Sequence, residues 1–343
     1  MRAWVDINTP KQVRFFNPLV KRLEAEGFEV LVTTRRFREV EQLARMVGLS
    51  HVPVGAYGGA RLEDKLKASL SRSLRLLKVV KEWSPDLAIS FSSPEAARVA
   101  YGLAIPHLCV NDSPHAEAVA KLTVPLSTVL FTPRFIPVEK WTKYGIEPGS
   151  IVQYDAIDPV AWLKQAPPPS TRRRRLIVMR VAEAYASYLD KEADVVERVA
   201  ERLVEEVEGF KIVLLARYPD QLTRVKRLLR KVTVPTRVVD SVRLLSEACL
   251  FIGGGGTMTW EAALLGTPTI SCTPVEGVDV EAYMASQGLI KVARGVEEAV
   301  AEALKTLEDL DRQVREQCVK ARRALESMED PVDVIAGFIE ERF

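Results

Sequence analysis

Short apolar runs alternate with longer amphipathic segments along most of the chain. Residues 3–7, 28–33 and 87–91 have the length and composition of buried strands. Apolar residues at helical spacing follow each of them. Alternating strands and helices predict parallel strands, and therefore a doubly wound α/β sheet.

The same pattern predicts further strands at 51–54, 107–110 and 128–131. Residues 62–83 form the longest predicted helix of this half. Its apolar stripe consists of Leu66, Leu70, Leu74 and Leu77, and its basic face of Arg72, Arg75, Lys78 and Lys81. Such a stripe is typical of the core-facing side of a helix.

Three consecutive prolines, Pro167–Pro169, interrupt the alternation and predict a stiff linker over 167–171. The pattern then restarts, with strands predicted at 176–181, 211–216, 234–240, 249–252 and 269–272 and helices at 191–208, 219–230 and 257–265. We therefore predict an N-terminal domain at 1–166 and a C-terminal domain at 172–330. A helical tail follows at 331–343, and packing back on the first domain is one option for it.

Composition narrows the class of protein. Apolar residues make up 47% and charged residues 27% of the 343, as in ordinary soluble domains. No apolar run is long enough to span a membrane, and the N-terminus meets charge too early for a secretion signal. A net charge of +2 argues against a dedicated nucleic-acid binder. The four cysteines are too scattered for a zinc site or disulfide framework, so we expect a reducing cytoplasm.

The strongest chemical signal is a run of four glycines, Gly253, Gly254, Gly255 and Gly256, between a predicted strand and a predicted helix. Glycine lets the backbone approach a ligand, and the helix N-terminus beginning at Thr257 and Met258 favours an anion. The run is neither a Walker loop nor Gly-x-Gly-x-x-Gly. We favour a phosphate or diphosphate site over a tightly packed turn.

Three charged residues could complete a nucleotide site in the second domain. Glu261 lies one turn into the helix, where it could accept hydrogen bonds from ribose hydroxyls. Alternatively, its negative charge could only interact favourably with the helix dipole. Arg180 and Arg217 follow predicted strands and could reach a diphosphate, although surface positions are equally consistent with the pattern.

Polar residues also follow strands of the first domain, where ligands of parallel sheets bind. Asp6, Asn8 and Lys11 follow the first strand and could line a cleft. Asp112 and His115 follow another strand and could form an acid–base pair, although capping of the next helix explains them as well.

Several stretches together resemble the glycosyltransferase-B superfamily. They are Asp6–Lys11, Lys121–Leu126, Tyr154–Asp158 with Trp162-Leu163, Leu215–Arg217 and Gly253–Pro268. The sequence most resembles a largely archaeal family of unknown function within it. It is also similar to UDP-N-acetylglucosamine 2-epimerases and to the peptidoglycan N-acetylglucosaminyltransferase. The resemblance implies two Rossmann-like domains facing a cleft.

The resemblance also implies roles for individual residues. Gly254–Met258 would hold the donor diphosphate and Glu261 the ribose. The Gly-Gly-His acceptor motif of the peptidoglycan enzyme is absent, because the first strand–helix turn reads Asn8-Thr9-Pro10. The catalytic acids of the epimerases have no clear counterpart.

We therefore expect a metal-independent glycosyltransferase that uses a nucleotide diphosphate sugar, without a cofactor, and an unidentified acceptor. Asp112, His115 or Asp6 would supply the base. A 2-epimerase and a non-catalytic nucleotide-sugar-binding protein are the alternatives. Peripheral membrane association, with a lipid-linked acceptor, has two hints: the basic face of residues 62–83 and the pair Phe15-Phe16, for which core packing is favoured.

Overall fold

The computed structural model describes residues 1–59, 61–182, 194–216, 221, 231–273 and 277–343. The chain divides into two compact units. One contains Met1–Trp162 together with Glu329–Phe343, and the other contains Leu163–Met328. Each unit is built on its own sheet.

The first unit contains a parallel sheet with the strand order β3-β2-β1-β4-β5-β6-β7. The strands are β1 (Arg2–Ile7), β2 (Glu29–Arg36), β3 (Val52–Ala56), β4 (Leu87–Ser90), β5 (His107–Val110), β6 (Val129–Pro133) and β7 (Ile151–Tyr154). From β1 the chain adds strands toward one edge of the sheet, and from β4 it adds them toward the other edge. The pair β1 and β4 is therefore the topological switch point. Ligands of open parallel sheets bind beyond the strand ends at such a point.

Helices connect these strands. They are α1 (Pro10–Ala25), α2 (Arg38–Val47), α3 (Leu62–Trp83), α4 (Pro94–Gly102), α5 (Glu117–Thr123), α6 (Glu139–Thr142) and α7 (Val160–Leu163). Trp4 of β1 is fully buried among side chains of α3 and α4, including Leu76 and Val80. Phe15 and Phe16 of α1 are also fully buried, as favoured from the sequence.

The second unit contains a parallel sheet with the strand order β12-β11-β10-β8-β9. Its strands are β8 (Leu176–Arg180), β9 (Lys211–Leu215), β10 (Leu250–Gly253), β11 (Thr269–Ser271) and β12 (Lys291–Val292). Its described helices are α8 (Val195–Glu206), α9 (Ser241–Glu247), α10 (Thr257–Leu264), α11 (Asp279–Ser286), α12 (Val296–Glu308) and α13 (Leu310–Ser327). Here the switch point lies between β8 and β10.

The last helix, α14 (Pro331–Arg342), belongs to the first unit. Ile335 and Ile339 on this helix are fully buried, and the Phe338 ring meets Phe131 edge-to-face at 5.3 Å between centroids. The proline-rich segment expected as a linker lies in the second unit, where the Arg322 guanidinium donates to the Pro169 carbonyl at 2.7 Å.

The predicted α/β fold class is confirmed, but two local predictions are wrong. Residues 234–240 form no strand; only the neighbouring Thr233 makes an isolated bridge, to Val213. The leucine stripe of α3 is exposed rather than facing the core. The helix instead buries Arg72, Leu76 and Val80, which lie on another side of it. The predicted helix at 219–230 lies largely outside the described residues.

Candidate functional site

The turn that follows β1 is fixed by the side chain of Gln12. Thr9 occupies the N-cap of α1, but its side chain makes no capping hydrogen bond. Gln12 accepts from the Asn8 amide at 2.5 Å and donates to the Phe91 carbonyl at 2.9 Å. One side chain therefore joins the ends of β1 and β4 at the switch point.

Lys11 contacts two carboxyl groups at this edge of the sheet. Its ammonium lies 2.7 Å from Oδ2 of Asp112 and also contacts Asp158. The Lys11 side chain is 18% exposed, whereas those of Asp112 and Asp158 are 3% and 0% exposed. The cation also lies 4.1 Å from the centre of the Phe91 ring. Solvent therefore reaches the cluster at the lysine and not at the two acids.

Burial and mutual charge drive the two carboxyl groups of this cluster apart in pKa. Burial raises the pKa of Asp112, but the Lys11 charge and hydrogen bonds from Asp158, Lys11 and Ser113 outweigh it and lower the value to about 2. Burial and the Asp112 charge raise the pKa of Asp158 to about 8, against the opposing effect of Lys11. Near neutral pH, the cluster therefore holds one carboxylate, one carboxylic acid and one ammonium group. Opposed pKa values in a carboxyl pair suit proton transfer.

Asp158 is the member of this cluster that had no role assigned from the sequence. Its Oδ1 accepts a hydrogen bond from the Tyr154 hydroxyl at 2.9 Å. Both residues lie in the stretch 154–158, which carried part of the family resemblance. That resemblance was the only sequence signal for Asp158. Its pairing with Lys11 has no local pattern, because the two residues are far apart in the sequence.

Asp6 lies in a second buried cluster. Arg72 binds both of its oxygens, at 3.0 and 2.7 Å, and the hydroxyls of Ser93 and Thr33 each donate to it at 2.6 Å. Burial raises the pKa of Asp6, but Arg72 and these hydroxyls bring it below its ordinary value. With no exposed surface and its oxygens engaged, Asp6 binds α3 and α4 to β1. We assign it a structural role instead of the expected role as a base.

Asn8 and His115 remain near the strand ends. The Asn8 carbonyl accepts from Arg35 at 3.0 Å, while its side-chain Oδ1 is buried with no hydrogen-bond donor among the described residues. His115 is half-buried in the turn after β5, which the Tyr144 hydroxyl fixes by donating to the Pro114 carbonyl at 2.6 Å. Asp112, its expected partner, is engaged by Lys11 and Ser113.

The end of β4 has a strained backbone. Ser92 has a φ of +50°, a conformation that costs energy for any residue with a Cβ. Its hydroxyl donates to the Val110 carbonyl at 3.1 Å, which ties the turn after β4 to the end of β5. Strained residues cluster at ligand sites, and this one lies at the switch point. The sequence contained no signal for it.

In the second unit, the four glycines connect β10 to α10 at the switch point. Gly253 and Arg180 are register partners on β10 and β8, and the Gly254 amide donates to the Arg180 carbonyl at 3.0 Å. In the first turn of α10, the Thr259 and Trp260 amides both bond the Gly256 carbonyl, at 3.0 and 3.4 Å. The earlier amides of α10 have no intrahelical acceptor and are suited to bind an anion.

Close packing explains part of this glycine run. A Cβ on Gly254 would lie 2.6 Å from the Ala182 Cα, and one on Gly255 would lie 2.8 Å from the Thr273 hydroxyl. Gly256 differs, because a Cβ there would meet none of the described residues within 4 Å, and its φ of +83° is what favours glycine. Within the part of the chain that the structure describes, open space therefore adjoins the last glycine, next to the first amides of α10.

Glu261 is 2% exposed, in the second turn of α10. Arg180 is half-buried at the end of β8, while Arg217 lies outside the described residues. A further acid that the sequence did not indicate, Glu281 of α11, is buried close to Ser271 and Trp260. Burial raises its pKa, and those two side chains oppose the effect.

The described residues contain neither a metal-binding cluster nor a membrane-spanning helix. No group of three or more histidine, cysteine, aspartate or glutamate side chains in them is arranged to hold a metal ion. None of the helices in that part of the chain combines the length and apolar character needed to cross a bilayer. The four cysteines are buried free thiols.

Two parallel-sheet α/β domains, each with polar groups at its switch point, define a protein with the glycosyltransferase-B fold. The chain belongs to the protein family of unknown function DUF354, whose model matches residues 1–167 and 169–342. The uncharacterized protein MJ0665 of Methanocaldococcus jannaschii is 31% identical over 300 residues, covering 82% of this chain and 84% of the relative.

Solved structures with this fold include a UDP-GlcNAc 2-epimerase and a forosaminyltransferase. A UDP-GlcNAc 2-epimerase from M. jannaschii, in complex with UDP-GlcNAc and UDP, matches with a TM-score of 0.69 and 15% identity over 99% of each chain. The spinosyn forosaminyltransferase SpnP matches with a TM-score of 0.63 and 18% identity, also over 99% of each chain. At such identities the likeness establishes the fold.

Proposed function

We propose that the protein transfers a sugar from a nucleotide diphosphate sugar, UDP-linked, to an acceptor hydroxyl. The observation that carries this proposal is the glycine turn before α10, which lies beside Arg180 at the switch point of the second sheet and whose last glycine has no described residue against it. Solved structures with this fold include a sugar transferase and an enzyme bound to UDP and UDP-GlcNAc, which supports a UDP-sugar as the donor.

In this proposal, the second unit binds the donor. The amides from Gly254 to Met258 hold the diphosphate, and Arg180 and Arg217 neutralise the charge that develops on it as it leaves. Glu261 accepts hydrogen bonds from the ribose hydroxyls. The backbone amides and the arginines supply the stabilisation that a divalent cation supplies in other transferases, so we expect activity to be insensitive to chelators.

The first unit then binds the acceptor. Lys11 is the solvent-exposed member of its cluster, and the Asn8 Oδ1 offers an acceptor to an incoming hydroxyl. We assign His115 as the base that removes the hydroxyl proton, because Arg72 and two hydroxyls engage the oxygens of Asp6, and Lys11 and Ser113 engage those of Asp112. Lys11, Asp112 and Asp158 position the acceptor.

Thermal stability with and without UDP tests the donor half. We expect UDP to raise the melting temperature and Glu261→Ala to abolish that rise. Glu297→Ala is the matched control, because Glu297 is an exposed acid in the first turn of α12, which also follows a glycine N-cap. Absence of a shift with every common nucleoside diphosphate would refute the proposal.

A 2-epimerase is the second candidate. The divergent pKa values of Asp112 and Asp158 favour it, because epimerisation needs one group to take a proton and another to return it. NMR spectra of the protein with UDP-N-acetylglucosamine alone distinguish the two activities. A new UDP-sugar isomer without an acceptor identifies the epimerase, whereas a transferase forms a new glycoside only when an acceptor is present.

A further inference from the structure

Helix α3 presents a row of leucines to solvent. Leu62, Leu66, Leu70 and Leu74 are 78%, 60%, 60% and 65% exposed, and Leu77 is 38% exposed. The first four recur every fourth residue, so they form one continuous ridge about 18 Å long at 1.5 Å per residue. Singly exposed leucines are ordinary, but a contiguous row marks an interaction surface.

The ridge cannot turn into the core, because contacts on the buried side of α3 fix the rotation of the helix. Arg72 extends inward from α3 and binds Asp6 through two hydrogen bonds and the Val54 carbonyl through a third, at 3.0 Å. A Cβ on Gly55 would lie 2.6 Å from the Arg72 Cγ, so the strand contacts this side chain directly. Rolling the helix would break a buried ion pair.

Positive charge accompanies the leucine ridge. From Lys65 to Lys81 the sequence contains six basic residues and no acid. Arg72 is engaged by Asp6, and Lys67 pairs with Glu63 at 2.5 Å. Arg75, Lys78 and Lys81 are exposed and have no ion-pair partner among the described residues. By helical spacing, Lys78 and Lys81 flank the ridge.

We propose that α3 lies on the surface of an anionic lipid bilayer, with its leucine ridge in the boundary between headgroups and acyl chains. A helix with leucines on one side and lysines beside them has the composition of an interfacial helix. A partner helix would require a groove, whereas this ridge protrudes. Parallel pairing with a second copy would bring the basic ends of two identical helices together, at a cost in repulsion, and the experiment below separates antiparallel pairing from bilayer binding.

Sedimentation with lipid vesicles tests this proposal, and no nucleotide is present, so the result is independent of the proposed function. We expect the full chain to sediment with vesicles of 70% phosphatidylcholine and 30% phosphatidylglycerol, but not with phosphatidylcholine alone. Each leucine-to-serine substitution removes apolar area that the bilayer would bury. The combined variant Leu66→Ser, Leu70→Ser and Leu74→Ser should therefore bind the anionic vesicles at least about tenfold more weakly. Raising the salt concentration should release the wild-type protein.

Leu122→Ser is the matched control, because Leu122 is a 56% exposed leucine on α5 of the same unit, and this variant should bind like the wild type. The proposal fails if the wild type stays in the supernatant with the anionic vesicles, or if the triple variant sediments equally well. It also fails if no vesicle binding occurs and light scattering shows a dimer for the wild type but a monomer for the triple variant. The ridge would then join two copies of the chain.

Discussion

Lys11 is a partly buried cation that contacts two acids from distant parts of the chain. Burial alone would lower its pKa, but Asp112 and Asp158 outweigh burial and raise it, so the ammonium stays charged. The protonated form is in turn what keeps Asp112 ionised in a buried position. The cluster is therefore stable only as a set, and its members should show strong energetic coupling.

Replacing Lys11 with methionine should lower the free energy of unfolding by about 3–5 kcal/mol, because it leaves the Asp112 carboxylate buried without a counter-charge. Lys21→Met is the control, since Lys21 is exposed on the same helix and its loss should cost less than about 0.5 kcal/mol. Urea denaturation provides both values. Adding Asp112→Asn to Lys11→Met should recover part of the loss, and purely additive costs would contradict the coupling.

His107 makes the stability of the first unit sensitive to acid. Burial lowers its pKa to about 4, and its two ring nitrogens are engaged by the hydroxyls of Ser90 and Ser127 at 2.8 and 2.9 Å. The unfolded chain takes up this proton near pH 6.5 and the folded chain only near pH 4, so stability falls as pH decreases across that window. A shift of this size corresponds to about 3 kcal/mol.

Unfolding measured in urea at pH 7 and pH 4.5 tests this effect. His107→Gln keeps a side chain that can hydrogen bond but cannot titrate, so its stability should decrease less on acidification than that of the wild type, by about 2 kcal/mol. Equal decreases in the two proteins would mean that other groups account for the acid sensitivity.

At the scale of elements, the glycine turn before α10 was predictable and the orientation of α3 was not. The strand, the four glycines and the following helix are local features, and the structure places β10 and α10 within two residues of the expected bounds. The rotation of α3 depends on the buried contacts of Arg72 with Asp6 of the first strand and with the Val54 carbonyl. Periodicity measures apolar area only, so it assigned the leucines to the core and Arg72 to the surface.

The same limit applies to the candidate site. The sequence indicated Lys11 and Asp112 as residues that follow strands, because that argument needs only strand positions. Asp158 and Ser92 were missed, since neither a pairing across most of a unit nor a strained backbone has a local sequence pattern. Local chemistry could be predicted, and long-range contacts could not.

The glycines of the turn should differ in how much a substitution by alanine lowers the free energy of unfolding. In Gly254→Ala the new Cβ meets the Ala182 backbone, which cannot move aside, so we expect a loss of about 3 kcal/mol. In Gly256→Ala the space is open and only the positive φ opposes the change, which costs about 1–2 kcal/mol. Urea unfolding of both variants compares them, and a larger loss for Gly256→Ala would contradict the packing described.

At the scale of the whole molecule, the first unit is assembled from both ends of the chain. Residues 329–343 return to it after the second unit, and the Glu329 carboxylate accepts from the Asp155 amide at 2.5 Å. The sequence placed a helix here but left its partner open, because a mostly apolar helix fits either sheet. Since α14 is remote in sequence from the unit that it completes, its packing couples the C-terminus to the first unit's stability.

Ile339→Ala should therefore destabilise a unit that lies mainly at the other end of the chain. The side chain is fully buried, and its loss should cost about 2–4 kcal/mol. Hydrogen exchange followed by mass spectrometry should show weaker protection in Met1–Trp162 and unchanged protection in Leu163–Met328, because only the first unit contains α14. Val319→Ala, at a 48% exposed position on α13, is the control and should change neither. Weaker protection confined to Leu163–Met328 would contradict the assignment of the C-terminal helix to the first unit.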